Sequence, residues 1–204
     1  MATRKKSTSH SRASSSRSSS SNSRSSNGSR GRNGGGNGRS RSSTKSRDVI
    51  ALLKEDHANV RELLEKLVEG KSRAQKSRQQ LFAEIEMELE LHSRVEEEIV
   101  YPAFLEIVER TDRHLFFEAQ EEHALVRRVM DEMDAGSPED EEFTARAKVL
   151  KDLVEHHAKE EEREMFPLLK SETESERLRE MGAEVEARKQ ELRPEFEGRY
   201  QHVR

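Results

Sequence analysis

The chain has 204 residues, 31% of them hydrophobic and 38% charged, and no cysteine. One modest core is all that this composition supports; disulfides and thiolate metal or redox sites are excluded, so any metal must be held by nitrogen and oxygen. No apolar run approaches the ~18 residues of a membrane span, and the N-terminus lacks the apolar segment of a secretory signal, so a soluble, cytoplasmic chain with no membrane partner is expected.

Charge divides the sequence at Asp48. Met1 to Arg47 carries twelve Lys and Arg and no acid, which leaves 25 bases against 41 acids beyond it: +12 in the first segment and −16 in the second. The first is Ser, Arg, Gly and Asn, as in SRASSSRSSSSNSRSSNGSRGRNGGGNGRSRSS. It has too little apolar surface to offset the entropy of ordering, so residues 1–47 read as a disordered basic tail. Its cations suit nonspecific, salt-sensitive nucleic-acid contact, but it has no aromatic residue for base stacking. A solvated tail lying against its own acidic domain is the simpler reading.

From Asp48 onward the punctuation is helical. Asp48 caps a first helix and Gly70 closes it; Gly136 closes a third, and Ser137 with Pro138 restarts a fourth. Ser171 and Glu174 have capping-box spacing before a last amphipathic helix, SERLREMGAEVEARKQEL, that ends before Pro194. No strand pattern occurs.

An internal repeat organises these helices. EDHANVREL around His57 matches EEHALVRRV around His123, 66 residues later, and HSRVEEEIVYP from His92 matches HAKEEEREMFP from His157, 65 residues later. Two helical hairpins of one design predict an all-α, up-down-up-down four-helix bundle over residues 48–170, with an additional C-terminal helix and tail over 171–204.

Spacings of three and four select one inward stripe per helix. The first gives Ile50, Leu53, His57, Val60, Leu64 and Leu67; the second Phe82, Ile85, Leu89, His92, Glu96 and Ile99. The third gives Phe116, Ala119, His123, Val126, Met130 and Met133; the fourth Phe143, Ala147, Leu150, Val154, His157 and Glu161. Each stripe carries a histidine, and in two of them a glutamate follows four residues later. His156 and Glu162 fall about 100° off the stripe. Glu97, Glu98, Glu160 and Glu164 read as solvated charges, although Glu97 and Glu162 serve the centre if a helix is rotated. His10, His114 and His202 lie outside the stripes.

A single histidine on an apolar stripe is ordinarily a hydrogen-bonded core residue. Four at repeat-related positions, with two glutamates that no stripe lysine or arginine neutralises, point to metal ligands, because an unpaired buried carboxylate costs several kcal/mol. The candidate ligands are His57, His92, Glu96, His123, His157 and Glu161. A histidine and a glutamate four apart are close enough for one to ligate a metal while the other bridges to a second.

Over residues 48–170 the chain resembles the hemerythrin-like HHE cation-binding domains, through Asp56-His57, HSRVEEEIVYP, Glu122-His123 and HAKEEEREMFP. The resemblance implies a non-haem di-iron centre inside a four-helix bundle. By it, His57 and His92 hold one iron, His123 and His157 the other, and Glu96 and Glu161 bridge them. The generic ferritin-like pattern needs Glu-x-x-His, which the chain lacks. Oxygen-carrying hemerythrins have a further histidine one turn after the third-helix ligand, where this chain has Arg127, matched by Arg61 in the first helix. More open coordination follows, which favours binding or sensing of oxygen, nitric oxide, peroxide or iron over stable carriage. A di-iron oxidase or peroxide-consuming enzyme is the alternative, a nucleic-acid-associated protein acting through the tail is a third, and zinc or manganese suits the same ligands.

Overall fold

The structure, a computed structural model, describes residues 47–70 and 75–200. All regular structure among them is helical: α1 (Val49–Glu69), α2 (Gln75–Val95), α3 (Tyr101–Ile107), α4 (Arg113–Asp134), α5 (Glu141–Glu160), α6 (Phe166–Glu172) and α7 (Ser175–Tyr200). Two π-helical turns, Glu96–Val100 and Glu161–Met165, fuse α2 to α3 and α5 to α6, leaving four long rods and a fifth helix. The tail expected over 1–47 lies outside the described residues except for Arg47.

Helix starts follow local chemistry. Asp48 Oδ1 accepts the Ala51 N–H at 2.8 Å and caps α1, while the Gly70 N–H bonds the Lys66 carbonyl at its end. The fourth rod does not restart at Ser137-Pro138: the Asp140 N–H turns back to the Ser137 carbonyl at 3.0 Å, and α5 begins at Glu141 after the extended Asp140. Ser171 is no cap, because its hydroxyl bonds the Leu168 carbonyl inside α6. Nor does α7 end before Pro194; it continues to Tyr200 with the proline inside it. Pro194 is exposed and the neighbouring Leu192 and Phe196 are buried. Burying those two side chains offsets the ~3 kcal/mol of an internal proline whose lost bond faces water.

Two apolar layers sandwich a polar one. In one layer the second half of α1 (Val60, Leu64, Leu67) packs on α2 (Phe82, Ile85, Leu89), and α4 (Val126, Met130, Met133) packs likewise on α5 (Phe143, Leu150, Val154). In the other the starts of α1 and α4 meet α3, α6 and the first half of α7. Ile50, Ile99 and Phe116, expected on the stripes, are only partly buried there. α7 packs chiefly along α1 and α2, so Leu91, off the expected stripe, is buried under Leu192 and Phe196.

Candidate metal centre

The layer between the two apolar cores is built by the six candidate residues, all buried. Ligand atoms of His57, His92, Glu96, His157 and Glu161 lie within 4.8 Å of one another. His123 joins them, its Nε2 3.2 Å from His157 Nε2 and 3.3 Å from Glu96 Oε2. The histidines form two couples, since His57 and His92 bring their Nε2 atoms to 3.1 Å. Glu96 spans the couples, with Oε1 3.1 Å from His92 and Oε2 toward His123. Glu161 Oε2 lies 3.3 Å from His57 and 3.7 Å from His157.

Each Nε2 points inward because each Nδ1 is held from outside by a carboxylate. His57 bonds Glu162 at 3.0 Å, His92 bonds Asp56 at 3.3 Å, His123 bonds Glu97 at 3.0 Å and His157 bonds Glu122 at 2.9 Å. An Nδ1–H donated to a carboxylate leaves Nε2 as the free lone pair, which is the tautomer a ligand requires. Arg61 and Arg127 brace Glu162 and Glu97 at 3.0 and 2.9 Å, and Lys189 of α7 pairs with Asp56. Arg127, at the fifth-histidine position, thus turns to a carboxylate and offers the centre no ligand.

The π turns explain why Glu97 and Glu162, expected at the solvated edge, reach inward. Pro102 and Pro167 cannot donate to the preceding turn, and their rings crowd the carbonyls of Glu98 and Arg163. The backbone widens instead, the Tyr101 N–H bonding Glu96 O and the Phe166 N–H bonding Glu161 O, five residues back. Two successive glutamates then face the histidines from each rod. The signal was the aromatic-Pro pair, Tyr101-Pro102 and Phe166-Pro167, a few residues beyond each EEE run.

A family model for the hemerythrin HHE cation-binding domain matches residues 48–169. The chain belongs to this family. Its HHE domain is similar to a solved HHE cation-binding domain-containing protein of Mycobacterium kansasii, at 27% identity and a TM-score of 0.64 over 73% of this chain and 89% of that one. It is also 26% identical over 157 residues to a protein of Nostoc sp. (strain PCC 7120 / SAG 25.82 / UTEX 2576) called a DNA nickase; that match covers 77% of this chain and 43% of the relative, so the chain spans less than half of it.

Electrostatics of the HHE domain centre on two buried carboxylates. Burial opposes ionisation of Glu96, yet the surrounding histidines hold its carboxyl well below the usual range. Burial likewise opposes the charge of His92, but Glu96 and Asp56 push its imidazole up to about 9. Tyr101, missed in the sequence, donates its hydroxyl to Glu161 Oε1 at 3.1 Å and lies 3.3 Å from His123 Nε2. Burial and the nearby Glu161 raise its phenol well above the ordinary value. Its repeat counterpart is Phe166, stacked on His57 with ring centroids 5.8 Å apart. His156 is exposed, His114 is exposed at the start of α4, and His10 and His202 lie outside the described residues. No helix is long and apolar enough to cross a membrane among the described residues.

Proposed function

We propose that the domain is an up-down-up-down bundle holding two iron ions, one by His57 and His92 and one by His123 and His157, with Glu96 and Glu161 as bridges. The observation that carries this reading is Glu96. It is 0% exposed, and neither of its oxygens has a hydrogen-bond donor, although each faces a histidine of a different couple. Glu161 Oε2 lacks a donor too. Such orphaned charge costs several kcal/mol unless cations stand between the groups. Imidazole and carboxylate also suit zinc or manganese; the preference for iron comes from the family.

Iron held this way supplies electron exchange and open coordination for a small oxidant. The residues do the rest. Asp56, Glu97, Glu122 and Glu162 fix the histidine tautomers. Val60, Leu89, Val126 and Val154 wall a cavity of about 20 Å³ against the four histidines, room for a water or a diatomic and too little for an organic substrate. Tyr101 keeps a proton beside Glu161. The protein therefore binds or senses oxygen, nitric oxide or peroxide, and with Arg127 turned away it does not hold oxygen for long. Stopped-flow absorbance of the reduced, iron-loaded protein mixed with air-saturated buffer tests this. Rapid oxidation, slowed in Arg127→His, is the expected result; a lasting reversible oxygen complex in the parent contradicts it. Steady consumption of many equivalents of peroxide favours the enzyme reading.

A second reading concerns nucleic acid and rests on the +12 segment, together with the name of the Nostoc relative. It is nonspecific backbone contact through residues 1–47, with binding that falls steeply with salt. Equal DNA binding after deletion of 1–47 rules it out.

A further inference from the structure

The repeat places an acid behind one histidine in each half: Asp56 behind His92, and Glu122 behind His157. The two acids are treated differently. Asp56 receives the Lys189 ammonium from α7. Glu122 receives no Lys or Arg among the described residues; it bonds His157 Nδ1 at 2.9 Å through Oε2, and its Oε1 lies 3.4 Å from His156 Nε2. The same His156 nitrogen lies 3.5 Å from Glu160 Oε1, one helical turn on. These three residues bring an imidazole and two carboxylates within 4.8 Å.

The counterparts of His156 and Glu160 in the first half are Leu91 and Val95, both fully buried, with Leu91 under α7. Where α7 covers the bundle, the positions are apolar and a lysine supplies the positive charge. On the open half the same positions carry ligand atoms, His156 is 63% exposed, and the positive charge is missing.

We propose that Glu122, His156 and Glu160 form a second, solvent-exposed site for a divalent cation such as zinc, separate from the central cluster and joined to it by the Glu122 carboxylate. The cation takes the part that Lys189 plays opposite. One imidazole and two carboxylates are an ordinary borderline-metal donor set with water completing the shell, so binding is exchangeable. Because Glu122 also orients His157, occupancy of the outer site alters the partner of an inner histidine.

Calorimetric titration of zinc into full-length protein that retains its central metal, with metal analysis, tests the site. The expected result is one exchangeable zinc per chain, weakened at least about tenfold in His156→Ala and in Glu160→Gln, with central metal content unchanged. His156→Lys, which supplies an ammonium like that of Lys189, abolishes zinc uptake and keeps the melting temperature of the parent. If the central cluster proves to hold no metal, the difference in zinc uptake between parent and His156→Ala still reads the outer site. Zinc uptake that is the same in parent, His156→Ala and Glu160→Gln overturns the proposal, as does no uptake at millimolar zinc.

Discussion

His57 Nδ1 and Glu162 Oε1, 105 positions apart in the chain, are joined by a hydrogen bond of 3.0 Å, and His123 with Glu97 reproduces it at 3.0 Å in the other half of the repeat. The pair fixes which ring nitrogen is left to face the centre. Glu162→Gln or Glu97→Gln removes the charge that favours the Nδ1–H tautomer. Metal affinity should fall roughly 10- to 100-fold in competition with a chelator, while the metal-free fold melts within a few degrees of the parent. Unchanged affinity in both variants would mean that these carboxylates do not orient the histidines.

His156 and His157 adjoin in sequence, but one is exposed and the other buried. His157→Ala should lower central metal content and melting temperature together, because metal binding is linked to folding. His156→Ala should leave the central content intact. Metal analysis beside thermal melts separates them, and the reverse outcome would refute the phase assigned to α5.

That phase was legible because 3.6 residues per turn carries the apolar stripe through Val154 to His157 and Glu161 without interruption. The same arithmetic failed beyond Glu161, where the π turn adds a residue, so Glu162 and Glu97 were placed too far from the centre. Tyr101 was missed for the same reason: it follows the first π turn, and on ordinary helical phase it leaves the stripe. Asp56 and Glu122 were visible only as neighbours of ligand histidines, since their partners come from other helices. Pro194 suggested a stop because local propensity disfavours it, and the burial of Leu192 and Phe196 prevailed.

Glu86 is buried, and burial, with Asp134, Glu90 and Asp131 nearby, pushes its carboxyl from 4.5 up to about 8. A raised acid favours the folded state while protonated. The contribution of Glu86 to stability is therefore full below about pH 4.5 and is lost as pH rises toward 8. Glu86→Gln should flatten that slope and be more stable than the parent by roughly 2 kcal/mol at pH 8.5. Urea midpoints at pH 5 and 8.5 measure it; a constant difference between parent and variant across that range would show that Glu86 does not titrate as described.

Gly182 in α7 packs against the backbone at the start of α1, and a Cβ built on it falls onto the Arg47 carbonyl. Alanine has the better helix propensity by about 1 kcal/mol, but the contact is with backbone, which must shift. Gly182→Ala should destabilise the protein by roughly 1–3 kcal/mol in chemical denaturation. A more stable variant would mean that α7 does not approach α1 this closely.

The proposed bridging of two metal ions by Glu96 and Glu161 rests on carboxylates that face both histidine couples. Full-length protein purified after expression with iron supplied, then washed with chelator, should retain about two iron ions per chain by elemental analysis, with Mössbauer spectra of a coupled pair. Glu96→Gln should lose most of both ions, because one carboxylate serves both couples. A parent that retains no stoichiometric metal, or a Glu96→Gln variant that retains the full complement, would rule out the bridged pair.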